Sequence, residues 1–435
     1  MKVAIAGFGI EGQSSLEYFS ALGHEVVVLD EKPDLVLPNK VKSVLGSQAF
    51  RNLSSYDLIV RSAGLPPNKL TEFNDNIDHL ITTQLNEFLK VCPSQKIIGV
   101  TGTKGKGTTA TLIAKMLAAS NRQVVLGGNI GVAMLSLLPS IRPETFVVLE
   151  LSSFQLSDLK VSSPKTAVCL MVVPEHLDWH GSLSNYIAAK TNLFAYQPKD
   201  SLAIFYPKSE FSRQIAAASQ GQKIPFFEPP GAEVKNNQIV IDDKTICSVS
   251  DLKLIGEHNW QNICAAVTAV WQHVQDVQAA HQVLTSFSGL KHRLEFVREV
   301  DHVKYYNDSF ASQLKASEAA ILAIKQPKVL IIGGFDRMLE LESFCQLVKR
   351  EATSIRKLML IGASAERLAK ALAKVGYTDF YMGNHLKTMA DIVNQAKALA
   401  KANDAVVLSP GFPSFDMFKN FEDRGNQFKD CVKAL

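Results

Sequence analysis

Short, wholly apolar runs recur along the 435-residue chain, each closed by a glycine-rich or polar turn and followed by apolar residues at helical spacing. A run of about four to eight apolar residues bounded by turn signals predicts a strand buried on both faces, and helices between such strands predict a parallel sheet. Val3–Ala6, an amphipathic helix to about Leu22 and a strand ending in Asp30 make the first such unit, with a further strand at Tyr56–Arg61. The pattern resumes with a strand at Ile97–Val100 and a helix from near Thr108, then strands at Phe146–Leu156 and Thr166–Val173. From Ser201 to Asp251 it weakens to short strands in SLAIFY, KIPFF and QIVIDD, before a long helix whose buried face includes Ile263, Ala266 and Val270. After a linker at Ser286–Val297, strands at Val303–Asn307, Lys328–Ile332, Lys357–Ile361, Asp379–Met382 and Ala405–Leu408 alternate with helices and predict a third parallel sheet. The chain therefore reads as α/β with three domains: Rossmann-like over 1–91, a P-loop ATPase-like parallel sheet over 92–289, and Rossmann-like over 290–435.

Composition narrows the function classes. With 46% apolar and 20% charged residues and a formal net charge of +4, the chain is an ordinary globular protein. No Lys/Arg run concentrates the charge, so neither nucleic acid nor an anionic membrane is an expected partner. Six cysteines (Cys92, Cys169, Cys247, Cys264, Cys345, Cys431) lack metal-type spacing and read as free thiols of a reducing compartment. The apolar run in MKVAIAGFGIEG is too short for a signal peptide, and a cytoplasmic location is expected.

Chemistry concentrates in the turns. IIGVTGTKGKGTT (97–109) is strand, glycine loop and helix start, the three parts of a phosphate cradle in which backbone N–H groups, the helix N-terminus and Lys106 meet an anion. It departs twice from GxxxxGK[ST]: Val100 stands at the first glycine, and Gly107 replaces the hydroxyl residue, whose duty passes to Thr108 or Thr109. Gly7, Gly9 and Gly12 keep the GxGxxG spacing with Asp30 18 positions on, which fits a diphosphate ligand of either dinucleotide or nucleotide-sugar type, or a plain βαβ turn. Gly64, after the next strand, could approach the same ligand. Asn129 lies in a further glycine-flanked loop, and Glu150 is a lone carboxylate on an apolar strand, where a Mg²⁺ ligand or a surface ion pair would sit. His176, Asp178 and His180 read as metal ligands, caps or loop residues, and Lys190 sits on an apolar-flanked helix. Gly256, His258 and Asn259 open the long helix, where the amide caps it or reads a ligand edge. Loops 307–312, 333–337 and 409–418 follow strands of the third sheet and should share one cleft.

Taken in order, GFGIEG, TGTKGKGTT, GGNIG, ELSSFQL, EHLD with Lys190, GEHNWQN, GLKHRLE, NDS and SFDMFKNFEDRGNQF resemble the Mur ligase family of peptidoglycan synthesis, and within it the members that add D-glutamate. The resemblance implies an ATP- and Mg²⁺-dependent amide ligase that activates the carboxylate of UDP-N-acetylmuramoyl-L-alanine as an acyl phosphate and joins it to D-glutamate. It implies small-molecule substrates, with neither nucleic acid nor membrane as partner, and a monomer. Lys106, Glu150, His176 and Lys190 would be catalytic, and Thr108, Glu150, His176 and Lys190, the last carbamylated, would serve the Mg²⁺ sites. ATP would meet Gly102, Thr103, Lys104, Gly105, Lys106, Gly107 and Thr108, with Asn259 at adenine, Arg293 at the phosphates and Asp308 at the ribose. The UDP-substrate would meet Gly9, Ile10, Glu11, Gly12, Asp30, Gly64 and Asn129, and the amino acid Ser312, Arg337, Ser414 and Phe421.

The chain leaves the family pattern at Lys104, Gly107, Phe310, Ser312, Arg337 and Gly411–Pro413. A Mur-type ligase for another amino acid and a nucleotide-binding homologue that has lost ligation therefore stay open. An NAD oxidoreductase built on GxGxxG would leave the phosphate loop and Glu150 without work.

Overall fold

The computed structural model describes residues 1–254 and 256–435; Ile255 and the side chain of His258 lie outside the described residues. Two compact units result, Met1–Leu252 with Glu257–Phe287, and Lys253–Gly256 with Ser288–Leu435.

The first unit holds two parallel sheets. Strands β1 (Lys2–Ala6), β2 (Glu25–Asp30), β3 (Lys42–Leu45), β4 (Leu58–Arg61) and β5 (Ile81–Thr83) pair in the order β3-β2-β1-β4-β5. The second sheet takes β6 (Ile97–Thr101), β7 (Val124–Gly128), β8 (Phe146–Glu150), β9 (Thr166–Cys169), β10 (Leu202–Phe205) and β11 (Gln222–Pro225) in the order β11-β10-β9-β6-β8-β7. In each sheet the order reverses beside the strand that precedes a glycine turn: β1 lies between β2 and β4, and β6 between β9 and β8. Ligands of open α/β sheets bind at such a reversal, outside the carboxyl ends. Ile98, Val100, Val148, Leu149 and Val168 are fully buried, which is why these strands read as unbroken apolar runs. A small antiparallel sheet, β12 (Glu233–Lys235), β13 (Gln238–Ile241) and β14 (Lys244–Ser248), completes the unit.

The second unit is one sheet, β15 (Glu295–Val300), β16 (Val303–Asn307), β17 (Lys328–Gly333), β18 (Ile355–Ile361), β19 (Phe380–Met382) and β20 (Ala405–Leu408), in the order β15-β16-β20-β17-β18-β19. All pairs are parallel except β15 with β16. That antiparallel edge begins within the stretch expected to be a linker. Its residues are half-buried or exposed, as an edge strand allows, so it lacks the apolar signature of the others.

Several expected boundaries move, β4 starting at Leu58 rather than Tyr56 and β18 at Ile355 rather than Lys357, and three of the shifts lie beside the loops of interest. The strand from Phe146 stops at Glu150, because Ser152 and Gln155 form a capping box that starts the helix Ser153–Leu156. The strand from Thr166 stops at Cys169. The helix expected from near Thr108 starts at Lys106, with Gly105 as its N-cap at φ +87°. A side chain at Gly105 would place Cβ 2.0 Å from Asn262 Oδ1, so only glycine brings this loop against the helix His258–Trp271.

The first glycine turn is equally tight. A Cβ on Gly12 would stand 2.3 Å from the Gly7 carbonyl oxygen, a backbone atom that cannot turn aside. Gly12→Ala is expected to destabilise the protein by about 1–3 kcal/mol; an unchanged thermal midpoint would show that the turn yields freely. All six cysteines are free, five of them buried. Among the described residues no helix is long and apolar enough to cross a membrane.

Candidate active site

The phosphate loop is held from inside the second sheet. Thr103 is buried, its hydroxyl 2.9 Å from the Tyr186 hydroxyl and 3.0 Å from the Val173 carbonyl oxygen. Lys106 Nζ donates to the carbonyl oxygens of Thr103 (2.9 Å) and Gly102 (3.2 Å). Lys190, on the helix Leu183–Ala195, is 1% exposed, and its Nζ donates to the same Gly102 oxygen at 2.9 Å. Two lysine amines thus converge on one carbonyl oxygen at the mouth of the loop. Burial, then the Lys106 charge, brings the Lys190 amine down to a pKa of about 7. Lys104 instead faces solvent and pairs with Glu175 at 2.6 Å.

The two threonines past Lys106 separate cleanly. Thr109 is fully buried, with its hydroxyl 3.5 Å from the Asn262 carbonyl oxygen, whereas Thr108 is half-buried beside buried Gly107. Asn259 is buried on the same helix and accepts from Asn262 Nδ2 at 2.9 Å.

Glu150 ends β8 nearly buried, and its Oε1 accepts from Asn129 Nδ2 at 3.0 Å. His176 takes a left-handed backbone (φ +56°), is exposed, and lies 3.7 Å from Glu175. Partial desolvation lowers its pKa, against the pull of Glu175. His180 turns inward to Ser153 Oγ (2.9 Å), and burial brings it to about 4. Among the described residues no group of three or more His, Cys, Asp or Glu is disposed to hold a metal ion, so His176, Asp178 and His180 do not make a ready ligand set.

Around the first glycine turn, the acids bind their own fold. Asp30 accepts from the Phe8 and Lys32 N–H groups (2.8 and 3.0 Å). Glu11 accepts from the Ala63 N–H (2.9 Å) and from Gln155 Nε2 (2.7 Å). Gly9 has open space where a side chain would be, Ile10 is 74% exposed, and the Gly64 carbonyl accepts from Trp179 Nε1 at 3.5 Å.

In the second unit the three loops expected to share a cleft do meet, through Gly333 N–H to Pro410 O (2.8 Å), Phe335 N–H to Pro413 O (2.9 Å) and Gly411 N–H to Ala311 O (2.9 Å). Buried Arg424 ties Ser309 to Phe412 beneath them. Asp308 is buried with both oxygens engaged, by Ser409 Oγ (2.7 Å) and Leu294 N–H (3.0 Å), and burial raises it to about 7. The Arg293 guanidinium lies 4.0 Å over the Phe310 ring, which packs edge-on against Phe421 at 5.0 Å. Ser312 and Arg337 are exposed, Arg337 5.9 Å over the Phe415 ring, and Ser414 is buried.

Residues 100–270 match the family described as Mur ligase middle domain, and residues 292–412 that described as Mur ligase, glutamate ligase domain. A Clostridium tetani protein named UDP-N-acetylmuramoylalanine--D-glutamate ligase is 34% identical over 449 residues, covering 100% of this chain and 97% of that protein. The chain belongs to the Mur ligase family. A Clostridium kluyveri relative of the same name is 35% identical over 452 residues, with 100% and 97% covered.

Solved Mur ligases share the fold at low identity. MurF from Acinetobacter baumannii superposes with a TM-score of 0.62 at 17% identity, covering 98% of this chain and 90% of that one. UDP-N-acetylmuramate-alanine ligase from Thermotoga maritima gives 0.60 at 14%, covering 100% and 99%. Mur ligase motifs could not point to Tyr186 or Arg61, both buried here against site loops. An aromatic on an amphipathic helix and a charge closing an apolar strand each read as ordinary structure.

Proposed function

We propose that this chain is an ATP-dependent amide ligase that joins D-glutamate to UDP-N-acetylmuramoyl-L-alanine in the cytoplasm, acting as a monomer on small molecules. The observation that carries the reading is the convergence of Lys106 and Lys190 on the Gly102 carbonyl, two amines facing one loop built to receive an anion. Residues 1–91 would seat the UDP-substrate, 92–289 ATP, and 290–435 the amino acid.

A free carboxylate is a poor electrophile because oxide is a poor leaving group. Transfer of the γ-phosphoryl group to that carboxylate makes an acyl phosphate; the amine of D-glutamate adds to its carbonyl, and the tetrahedral adduct expels phosphate. Anion approaches anion in the first step, so Lys106 and the N–H groups of the loop would lower the barrier by opposing that charge. Gly102 to Thr108 would wrap the phosphates, Asn259 would meet adenine and Arg293 the phosphates. Asp308 would hold the ribose, and Asp30 and Glu11 the UDP-substrate, through the lone pairs left over from the one bond that each of their oxygens already accepts. Gly9, Ile10, Gly12, Gly64 and Asn129 would complete that seat, and Ser312, Arg337, Ser414 and Phe421 the amino-acid seat.

The donors present fit Mg²⁺. This ion takes oxygen ligands, keeps waters and relies on one or two carboxylates plus substrate phosphates, so a ready-made protein cage is not needed. Nearly buried Glu150 and the half-buried Thr108 hydroxyl supply oxygen, and Lys190 would add more if carbamylated, with His176 at the margin. Bound there, Mg²⁺ would neutralise phosphate charge.

Phosphate release measured with ATP, Mg²⁺ and UDP-N-acetylmuramoyl-L-alanine across a panel of D- and L-amino acids tests the reading. Dependence on every component with D-glutamate best is expected. Preference for another amino acid, as Phe310 and Arg337 leave room for, would keep the chemistry and replace the substrate; release without the UDP-substrate would defeat ligation. Thr108→Ala is expected to lower kcat by about 100-fold, as loss of one polar contact to the transferring group does. Thr109→Ala, whose hydroxyl faces the neighbouring helix, should stay within about threefold. The reverse ranking in the same assay would reassign the hydroxyl.

A further inference from the structure

We propose that Arg61 is a positioning residue for the ligation, clamping the loop 62–65 after β4 to the helix Ser153–Leu156 that follows Glu150. Arg61 closes β4 and is 0% exposed. Its Nε donates to Asp158 Oδ2 at 2.8 Å. Nη1 gathers the carbonyl oxygens of Leu65 (2.5 Å), Ser62 (3.2 Å) and Ala63 (3.4 Å). Nη2 reaches the other way, to Ser157 Oγ (3.0 Å) and the Phe154 carbonyl oxygen (3.3 Å). One planar group therefore holds loop and helix at a fixed distance and angle, which a rigid fork of donors does and an ammonium does not.

The rest of the loop is fixed in the same sense. Glu11 takes the Ala63 N–H with one oxygen and Gln155, on the clamped helix, with the other. Trp179 donates to the Gly64 carbonyl, lies 5.7 Å under the Arg61 guanidinium and packs at a tilt against Phe154 at 4.6 Å; Phe154 in turn packs on His176 at 4.8 Å. Loop 62–65 is thereby tied to the segments carrying both Glu150 and His176. Stability alone does not call for this arrangement, because a buried ion pair is commonly matched by apolar packing of equal volume. Orientation does, because displacement of a reacting group by about 1 Å costs on the order of 100-fold in rate.

The proposal rests on the reading of Gly64, in loop 62–65, as part of the UDP-substrate seat, and the test separates the two. Turnover of the wild-type chain with the UDP-substrate tests that reading; the ratio of variant to wild type tests the clamp. Arg61→Lys keeps the charge without the fork, and Asp158→Asn keeps the shape without the charge. In full-length protein verified as folded by circular dichroism at the assay temperature, each should lower kcat at least about tenfold and raise KM for the UDP-substrate, with KM for ATP within about twofold. A lowered melting temperature with kcat and UDP-substrate KM unchanged per folded molecule would make Arg61 structural only and overturn the proposal. Should Arg61→Lys not fold, Asp158→Asn decides alone.

Discussion

Lys106→Ala is expected to lower phosphate release by at least about 1,000-fold, a transition-state loss of about 4 kcal/mol, while calorimetric binding of the UDP-substrate stays within about threefold. The asymmetry follows from the placement of the residue. Lys106 is the first residue of its helix, and its amine reaches back over the glycine loop to Thr103 and Gly102. The proposed UDP-substrate seat draws mainly on the turns after β1 and β4 and the end of β2, in a different sheet, with Asn129 after β7 as its one residue from the sheet that carries Lys106. Folding should not suffer, since a cation in the first turn opposes the helix dipole and its removal gains a few tenths of a kcal/mol to about 1 kcal/mol. An active Lys106→Ala, or one that loses UDP-substrate binding as well, would mean that the two seats have been assigned to the wrong loops.

Lys190→Ala should lose about 100-fold in kcat, the scale set by removing a metal-holding group, and recover part of it when short carboxylic acids such as acetate are added. The amine is 1% exposed, stands 4.7 Å from the centre of the Tyr186 ring, and is brought to about 7 by burial first and by Lys106 second. A large fraction is then neutral near pH 7 and able to add to CO₂, and the resulting carbamate exchanges a buried cation for an anion beside Lys106. Removal of CO₂ from the assay should imitate the mutation. Full activity of Lys190→Ala, or indifference to both CO₂ and acetate, would take Lys190 out of the site.

The same shift has a defined consequence for stability. Folded, the amine loses its proton near pH 7; unfolded, near 10.5. Between those values the unfolded chain binds more protons, so this group's contribution to stability rises with pH across the window and is least favourable below it. Denaturation midpoints of Lys190→Met should accordingly exceed those of the wild type kept free of CO₂, and so uncarbamylated, at pH 6 and converge with them toward pH 10.

Much of this molecule is local. The apolar runs that become β1, β6, β8 and β9, the two glycine turns and the helix that carries Lys190 depend on residues within a few positions of one another, and chain order alone displays them. For that reason the α/β class and the seats of the loops were legible, and the errors at Phe146–Leu156 and at the helix start were one capping box and one left-handed glycine. Partners across long separations were not legible. Lys190 meets Gly102 across 88 positions, Arg61 meets Asp158 across 97, and Thr109 rather than Thr108 is used up by Asn262 across 153. Glu11, Asp30 and Asp308 carry the right chemistry for ligands, yet each of their oxygens already accepts one bond from its own fold. The amino-acid pattern by itself determined which segments become strands, turns and helices, because those preferences are set by neighbours along the backbone. Which side chains face one another was decided by strand order in the sheets, since only the packed structure removes competing water and leaves each buried polar group one set of partners.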